Sequence, residues 1–534
     1  MVIQLFNRST VIRDSSAGFS VRSVRWDLWA FLVGVHQGLA PGRCGLQVFP
    51  MGVQEVLRIR LIRIALRLEV IPGLQAFLPG DGVVQQAHPV GAAHLVEQEL
   101  PAVHMVGLAE VGRVPAELSY EEMREQLYGP LRAVFSWDWM DGTEYGLAEI
   151  HYITPEFRQE IALATEALGA IYAKTVFLVQ SADDELLTEL GIPKEALLTV
   201  RILVKPEMVT AVGRFDFVQT AEGLKMIEFN ADTPTSVVEA FFVNGKACSY
   251  FGANCPNEGM EDQITKTFIS IVESYKEQGY ATDSIVFSAL GWHDEDRDTV
   301  KYLMAHSGLE AKFIALEDLR VSEDQLCALI DERLIPIDVW YRLHALEKLA
   351  VENDERDEYP TGAHVLDLVA RGKLAIINPP SAFVAQTKAL QSLIWNLHEA
   401  GEFYTPQEHQ WIEKYMLPTY MENRFLNKTP YVTKPIFGRE GGAVSLFEAD
   451  GQVAEQDKDD FYWDQPMIYQ KRVDMEEFES NTACGPYRGR LLWGSFLVGG
   501  KASAICARIG EQITGNLSYF LPTGIKKSEG EEGQ

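Results

Sequence analysis

The fold is decided by the stretch VGRFDFVQTAEGLKMIEFN, residues 212–230, in which polar and apolar residues alternate on either side of a short break. This alternation predicts a β-hairpin with one buried face. If the pairing is symmetric about position 222, Asp216 lies opposite Glu228 and Arg214 lies opposite Asn230. Because strand side chains alternate between faces, these four polar groups project from the same side.

The two opposed carboxylates of the hairpin predict a metal site. The apolar residues on the other side, which we expect to face a core, are Phe215, Phe217, Ile227 and Phe229. Carboxylates placed directly opposite each other on a sheet repel. A cation between Asp216 and Glu228 would remove the repulsion, and three oxygen ligands with waters suit Mg²⁺. The alternative is an ordinary hairpin with solvated acids, but Arg, Asp, Glu and Asn on one face favour the metal site.

The composition indicates a multidomain protein that binds neither nucleic acid nor a membrane. A chain of 534 residues, 47% of them hydrophobic, is long enough for about three domains with sizeable cores. The net charge of −29 argues against nucleic acid and anionic membranes, and is compatible with a polyamine. No apolar run is long enough to span a membrane. The six cysteines lack metal-ligand spacing, which indicates free thiols in a reducing cytosol and hence a cytoplasmic protein.

The two ends of the chain differ from the rest. Residues 1–114 contain no Lys and no Tyr, and ten Arg outnumber eight acids there, so the net acidity lies downstream. One interpretation is a small accessory domain. The other, favoured by the compositional break, is a non-native or disordered extension, for example from translation begun upstream of the true start. The charged tail, residues 526–534, is predicted to be disordered.

The middle of the chain predicts a βαβ unit. The predicted strands are 284–290, 311–315 and 335–340, and the predicted helices are 296–306 and 323–333. The alternation predicts an α/β arrangement, and no GxGxxG motif indicates a dinucleotide. Open α/β sheets place ligands at the carboxyl ends of their strands, where Tyr341 and Arg342 follow the last strand. The charged residues 293–296 after the first strand are interpreted as a solvated helix start.

The last third of the chain predicts a lid over a phosphate site. A strand at 431–435 contains Lys434 and is followed by a glycine-rich loop at 438–442 and a second strand at 443–447. Such a loop can lay backbone N–H groups over phosphates, although the chain has no Walker motif. A further strand is predicted at 467–471.

Two further cations and a polar loop complete the candidate site. A helix at about 386–398 has Lys388 in its first turn, and the final hairpin ends at Arg508 before the polar turn 514–516. The loop 231–236 follows the central hairpin. It is either a contact for a polar substrate or a simple turn.

Taken together, these motifs resemble the synthetase domain of the glutathionylspermidine synthetase family. They are Arg-x-Asp at 214–216, Glu-x-Asn at 228–230, the Thr-Lys-Pro strand with its glycine loop, and Arg508. The resemblance covers about residues 115–525 and implies an α/β (α+β) protein with an ATP-grasp fold. Within it, about 262–380 would be a pre-ATP-grasp-like portion and about 386–525 the lid and nucleotide-binding portion.

The resemblance also implies roles for individual residues. Mg²⁺ would be held by Asp216, Glu228 and Asn230. ATP would be contacted by Lys388, Lys434, Gly441, Gly442, Gln470 and Lys471. The transferring phosphate or acyl phosphate would be neutralised by Arg214 and Arg508. Thr233 and Thr235 stand where the bifunctional enzymes of the family have Ser residues that contact glutathione.

The implied activity is ATP-dependent ligation of a peptide-like or glutathione-like acid to a polyamine-like amine. An amine does not attack a carboxylate at neutral pH, so ATP first converts the acid to an acyl phosphate. Glu347 is a candidate contributor to an acidic amine pocket. The amidase domain of the bifunctional enzymes is not expected, because residues 1–114 are too short and lack a matching Cys/His pattern. The alternative is an ATP-binding or regulatory protein that does not ligate; the complete set of site residues favours the ligase.

Overall fold

The structure, a computed structural model, describes residues 3–4 and 118–526, except 141, 355–356, 459–460 and 516–517. Our expectations for residues 1–114, apart from a short strand at 3–4, lie outside the described residues. So do those for the tail after residue 526 and for Asn516 in the polar turn.

The described part of the chain contains eleven α-helices. In chain order they are α1 (Tyr120–Tyr128), α2 (Pro155–Gln180), α3 (Asp184–Glu189), α4 (Asn244–Phe251), α5 (Glu261–Glu277), α6 (Asp294–His306), α7 (Leu346–Leu349), α8 (Thr361–Ala370), α9 (Pro380–Gln386), α10 (Lys388–Ala400) and α11 (Pro406–Tyr415). Side-chain caps fix several starts: Ser119, Thr154 and Thr405 accept bonds from backbone N–H groups of the first turn. A π-helical segment, Glu239–Val243, leads directly into α4.

The strands of the described residues form several sheets. In chain order they are β1 (Ile3–Gln4), β2 (Trp139–Met140), β3 (Thr143–Glu144), β4 (His151–Ile153), β5 (Val212–Thr220), β6 (Gly223–Asn230), β7 (Ile285–Ser288), β8 (Ala311–Phe313), β9 (Leu319–Ser322), β10 (Gln325–Ile330), β11 (Arg333–Pro336), β12 (Val339–Arg342), β13 (Ala375–Ile377), β14 (Thr419–Tyr420), β15 (Tyr431–Pro435), β16 (Ser445–Phe447), β17 (Val453–Gln456), β18 (Met467–Lys471), β19 (Glu477–Thr482), β20 (Gly485–Val498), β21 (Lys501–Gly510), β22 (Tyr519–Leu521) and β23 (Thr523–Ile525).

Three of these sheets surround the candidate site. The central antiparallel sheet has the order β22-β21-β20-β5-β6, with β19 paired to β20. A parallel sheet has the order β13-β12-β7-β8, and a five-stranded sheet has the order β14-β18-β15-β16-β17. The architecture is therefore mixed α/β, as expected.

The central hairpin forms in the predicted register. Arg214 pairs with Asn230 and Asp216 pairs with Glu228 across β5 and β6. The turn is closed at Gly223, whose φ of +95° lies in the region that favours glycine. The prediction that four polar groups share one face of the hairpin is confirmed.

The apolar face of the hairpin differs from expectation at one residue. The register shifts after Asp216, so that Phe217 pairs with Met226 instead of Ile227. Met226 is buried in the core, whereas Ile227 lines the cavity on the polar side. The expected core position of Ile227 is therefore wrong, because an extra residue in β6 forms a bulge that alternation alone does not reveal.

Helix α2 covers this apolar face. The rings of Phe215 and Phe229 stack with centroids 3.8 Å apart, and the ring of Tyr172 from α2 meets both edge-on. Among the described residues, α2 is the one helix long and apolar enough by composition to cross a membrane, and 67% of its apolar window is buried in the fold. That burial is typical of a core helix.

The βαβ prediction is correct for β7, α6 and β8 and wrong for residues 323–333. The predicted strand 335–340 divides between β11 of an antiparallel sheet and β12 of the parallel sheet. Around residues 323–333, strands β9, β10 and β11 form an antiparallel meander instead of a helix. The stretch contains good helix formers, but Leu326 and Ala328 alternate into the core, and tertiary packing outweighs the weak propensity. The turn from β10 to β11 places Asp331 and Glu332 at positive φ, a turn without the glycine that would have marked it.

The predicted lid strands are present as β15, β16 and β18. The second strand begins at Ser445, two residues later than predicted, because the loop extends further. Glu440, Gly441 and Ala443 have positive φ values of 59°, 75° and 56°, which no strand accommodates. The loop is therefore a tight, well-defined turn above the sheet.

Residues at the carboxyl ends of the parallel strands fix the open end of the central hairpin, where β5 begins and β6 ends. The Asn378 side chain, just after β13, accepts bonds from Ala211 N and Val212 N at 3.0 and 2.9 Å. Its amide also donates to Asp232 O at 2.7 Å. Arg342, at the end of β12, forms a 2.7 Å ion pair with Asp232, and both side chains are fully buried. These contacts join the parallel sheet to the central sheet beside the polar face of the hairpin.

Candidate active site

A cavity of about 300 Å³ lies between the polar face of the hairpin, the lid strands and the end of the parallel sheet. Thirteen of the fourteen predicted site residues line it. They are Arg214, Asp216, Glu228, Asn230, Thr233, Thr235, Lys388, Lys434, Gly441, Gly442, Gln470, Lys471 and Arg508. Glu347 does not line it.

Asp216 is the centre of a buried arginine cluster. Its Oδ1 and Oδ2 accept bonds from Arg214 Nε at 2.6 Å and Nη2 at 3.0 Å. Arg508 Nη2 donates to Oδ2 at 3.0 Å from strand β21. Arg214 also donates to Thr235 O at 2.7 Å, which ties the cluster to the loop 231–236. Burial lowers the pKa of Arg214, but the Asp216 carboxylate outweighs it and the pKa is raised, so the guanidinium remains charged.

Glu228 is neutralised by lysines. Its Oε2 lies 3.4 Å from Lys388 Nζ, and its Oε1 accepts a 3.1 Å bond from Asn230 Nδ2. Burial raises the pKa of Glu228, but Lys388 and Lys434 outweigh this effect and lower the pKa to about 2. The second carboxylate of the hairpin is therefore ionised in the cavity.

Lys434 approaches the same carboxylate from the lid sheet. Its Nζ donates to Ile227 O and to Gln470 Oε1, each at 3.0 Å. Burial lowers the pKa of Lys434 to about 8, and Glu228 opposes the shift. Gln470 is held in turn by Gln391 and Thr419. Lys471, next in β18, pairs with the exposed Glu222 at the hairpin turn at 3.2 Å.

The glycine loop, residues 438–442, contacts Lys388 and also Ile513 in the loop that follows β21. Lys388 Nζ donates to Gly438 O at 2.7 Å. Gly441 has a φ of +75°, and a Cβ there would lie 2.9 Å from Ile513 Cγ2. Glycine is therefore required at 441 by conformation and by space.

An acidic group lines the cavity at a site that the sequence analysis did not predict. Glu295 and Asp296, from the first turn of α6, line the cavity instead of forming only a solvated helix start. Burial raises the pKa of Glu295 well above its usual value, and the Glu239 and Asp296 carboxylates add to the shift. Their position after β7, at the carboxyl end of a parallel strand, is the signal that could have found them.

Glu239 lies beside this acidic group on the π-helical segment. Its Oε1 accepts bonds from Trp137 Nε1 at 2.9 Å and from Tyr145 Oη at 3.0 Å. Its Oε2 is buried and has no hydrogen-bond partner within the described residues. Burial raises the pKa of Glu239. The cavity thus has a cationic end at the hairpin and an acidic end at α6.

Glu347 is not part of the cavity wall. It lies on the short helix α7, and its carboxylate contacts the guanidinium of Arg439 in the glycine loop. The predicted contact of Glu347 with an amine stays a prediction; in the structure its Oε1 accepts from Arg439.

The donor set of the hairpin suits Mg²⁺. Asn230 Nδ2 donates to Glu228 Oε1 at 3.1 Å and to Asp216 Oδ2 at 3.4 Å, so the three side chains converge. Rotation of the amide by 180° would turn its oxygen, the atom that Mg²⁺ takes as a ligand, toward the carboxylates. No group of three or more His, Cys, Asp or Glu in the described ranges could hold a metal by itself. Two carboxylates and an amide leave positions for phosphate oxygens and water, which is the arrangement Mg²⁺ favours.

Comparison with known proteins gives the class and then the family. A Haemophilus influenzae protein named as an acid–amine ligase is 28% identical over 325 residues, which span 58% of this chain and 73% of that protein. The bifunctional glutathionylspermidine synthetase/amidase of Escherichia coli is 24% identical over 394 residues, which span 68% of this chain and 57% of that enzyme. These relatives support a carbon–nitrogen ligase. The model of the glutathionylspermidine synthase preATP-grasp family matches residues 121–526, and the chain belongs to that family.

One solved structure is similar over much of the chain. It is a glutathione synthetase-like effector from Globodera pallida in its apo form, with 14% sequence identity and a TM-score of 0.47. The similarity covers 77% of this chain and 98% of that one.

Asp216→Asn should destabilise the protein. The substitution leaves Arg214 and Arg508 without their buried counter-charge, and removing one partner of a buried pair costs about 3–5 kcal/mol. If the hairpin carboxylates merely repelled each other, the same change would stabilise the fold. Denaturant unfolding in the presence of EDTA gives the sign of the change in the free energy of unfolding. The matched control is Asp464→Asn at an exposed position, which should leave the free energy of unfolding nearly unchanged.

Proposed function

We propose that the protein is an ATP- and Mg²⁺-dependent acid–amine ligase that forms an amide through an acyl phosphate. The observation that carries the proposal is the convergence of Arg214, Arg508, Lys388 and Lys434 on two ionised carboxylates beneath a glycine loop. Phosphoryl transfer depends on positioning and charge neutralisation, which such an arrangement supplies.

The proposed fold is an ATP-grasp fold with a pre-ATP-grasp-like portion at about 262–380. Its support is the family match and the placement of the lid strands opposite the central sheet. The ligase unit would be residues 115–525. The five cysteines among the described residues are free thiols, which supports the proposed reducing, cytoplasmic location.

The cationic end of the cavity would carry the phosphate chemistry. Asp216, Glu228 and Asn230 would hold Mg²⁺, which when bound neutralises phosphate oxygens. Lys388 and Lys434 would bind ATP phosphates, with Gly441 presenting its backbone N–H above them. Gly442 would allow the close approach of the loop to the phosphates, since its own N–H donates to Arg439 O at 2.9 Å. Gln470 and Lys471 would lie against the nucleotide base. Arg214 and Arg508 would stabilise the charge that develops as phosphate moves to the acid.

The loop 231–236 would position the acid. Thr233 and Thr235 line the cavity beside Arg214, which donates to Thr235 O. Ser236, next in the chain, is buried at a φ of 63°, a conformation that non-glycine residues rarely adopt and that is common at functional sites. A peptide-like or glutathione-like acid would present its carboxylate here.

The acidic end would bind the amine. Glu295 and Asp296 line this end, and a bound polyamine-like cation would offset the repulsion between neighbouring carboxylates that helps to raise their pKa values. The name of the bifunctional relative supports an amine of that kind. Because the pKa of Glu295 is raised, its carboxylate is also suited to accept the proton that the attacking nitrogen must lose.

The direct test is ADP release from ATP and Mg²⁺ with a panel of peptide-like acids and polyamines. We expect ADP only when an acid and an amine are both present. Glu228→Gln should abolish it, because the lost charge is part of the proposed metal site. Turnover that does not depend on the acid and the amine would favour a non-ligating ATP-binding protein instead.

Arg508→Ala and Lys434→Ala should affect different steps. Arg508 would act on the charge of the transition state, so its removal should lower kcat roughly 10²-fold with little change in the ATP Kd. Lys434 would contact ground-state phosphates, so its removal should weaken ATP binding itself. Equilibrium binding and steady-state kinetics of both variants decide this. Normal turnover by Arg508→Ala would remove that residue from the catalytic centre.

Glu295→Gln should weaken amine binding. Loss of one carboxylate at the acidic end should raise KM for a polyamine about tenfold or more, the range of a hydrogen bond to a charged group, while the ATP Kd stays the same. Glu310→Gln, which removes the same charge from an exposed position, is the matched control. An equal change in both variants would show that net charge, and not the acidic end, attracts the amine.

A further inference from the structure

One ion pair connects the glycine loop, which lines the cavity, to helix α7 outside the cavity wall. Arg439 follows Gly438 in the loop, and its Nη1 lies 2.5 Å from Glu347 Oε1 on α7. The side chains are only 19% and 12% exposed. Burial raises the pKa of Glu347, but the Arg439 guanidinium outweighs this and lowers the pKa, so both partners remain charged. The pair joins the lid sheet to the unit that contains the parallel sheet.

The pair is poorly built for stabilising the fold. Arg439 Nη2 and Glu347 Oε2 are both buried and have no hydrogen-bond partner within the described residues. Desolvation of two charges is costly, and a buried pair with unsatisfied atoms gains little net stability. The Arg439–Glu347 pair instead fixes the position of the loop relative to α7.

Other contacts hold the loop at its ends and within it, where Gly442 N donates to Arg439 O at 2.9 Å. Gly438 O accepts from Lys388 Nζ at 2.7 Å, and Ala443 N donates to Asp457 Oδ2 at 2.9 Å. Between them, Gly441 packs closely on Ile513. Arg439 therefore supplies the charged contact by which the middle of the loop reaches α7.

We propose that Arg439 and Glu347 form a latch that holds the glycine loop closed over the cavity. Both act as positioning residues, because they set the place of the loop's backbone N–H groups. The role of the latch in turnover rests on the proposed ligase function. With the loop open, water would attack the acyl carbon in place of the amine, releasing phosphate and regenerating the free acid. A closed loop would thus couple ATP use to amide formation.

The test uses four variants of the full chain. Glu347→Gln and Arg439→Gln each break the pair, and the double variant E347R/R439E restores it with the charges exchanged. Glu160→Gln is the matched control, because it breaks a 3.0 Å ion pair with Lys414 away from the cavity. Hydrogen exchange of a peptide covering 436–444 reports loop opening, and exchange of a peptide within α2 reports the integrity of the core.

We expect both single variants to exchange about tenfold faster in the loop, within the range of a single coupled pair, with unchanged exchange in α2. They should release ATP faster and form more phosphate from ATP and acid when no amine is present. The double variant should recover loop exchange to within about threefold of the original protein, and Glu160→Gln should match the original protein.

Loop exchange that is unchanged in Glu347→Gln would overturn the latch. The latch would also be overturned if E347R/R439E exchanged in the loop as fast as the single variants. Hydrogen exchange needs neither ATP nor turnover, so this outcome is separate from failure of the ligase assignment. The ligase assignment would fail if the unsubstituted protein formed no ADP in response to acid and amine.

Discussion

The opposition of Asp216 and Glu228 across the central hairpin is the constraint on which the rest of the site depends. Two carboxylates on one sheet face cannot both stay ionised and buried unless cations surround them. Arg214 supplies one cation from the same strand, while Arg508, Lys388 and Lys434 come from β21, α10 and β15. Elements distant in the sequence must therefore pack around the hairpin before its charges are balanced, which makes folding and assembly of the site the same event.

Because these charges must stay at fixed distances from one another, the polar face of the hairpin depends on rigid packing of its apolar face. Desolvation of Lys434 lowers its pKa to about 8, so its charge costs free energy that only close partners offset. Those partners must be held at fixed distances. The stacked rings of Phe215 and Phe229, with Tyr172 edge-on to both, fix the hairpin on its apolar side. Asn378 and the buried Arg342–Asp232 pair fix its open end.

Local patterns predicted those parts of the structure whose causes are local. Alternation gave the pairing of Asp216 with Glu228, and short apolar runs gave β15 and β18 with their observed bounds. Residues 323–333 of the meander were predicted as a helix because their propensities are helical and only tertiary pairing makes them part of a sheet. The acidic end could not be assembled from sequence, since Glu239 and Glu295 meet only after a π-helical segment and a parallel strand pack together. The contact of Glu347 with Arg439 was hidden for the same reason.

The two charged ends of the cavity favour one direction of binding. A polyamine-like cation would be attracted by Glu295 and Asp296 and repelled by the arginines and lysines around Asp216 and Glu228. Its distal charges would therefore remain at the acidic end, and only a nitrogen that has lost its proton could approach the cationic end at low cost. ATP phosphates would obey the opposite preference. The boundary between the two ends is formed by Arg214 and the loop 231–236, which is where the acid would have to lie to accept phosphate from one side and the amine from the other.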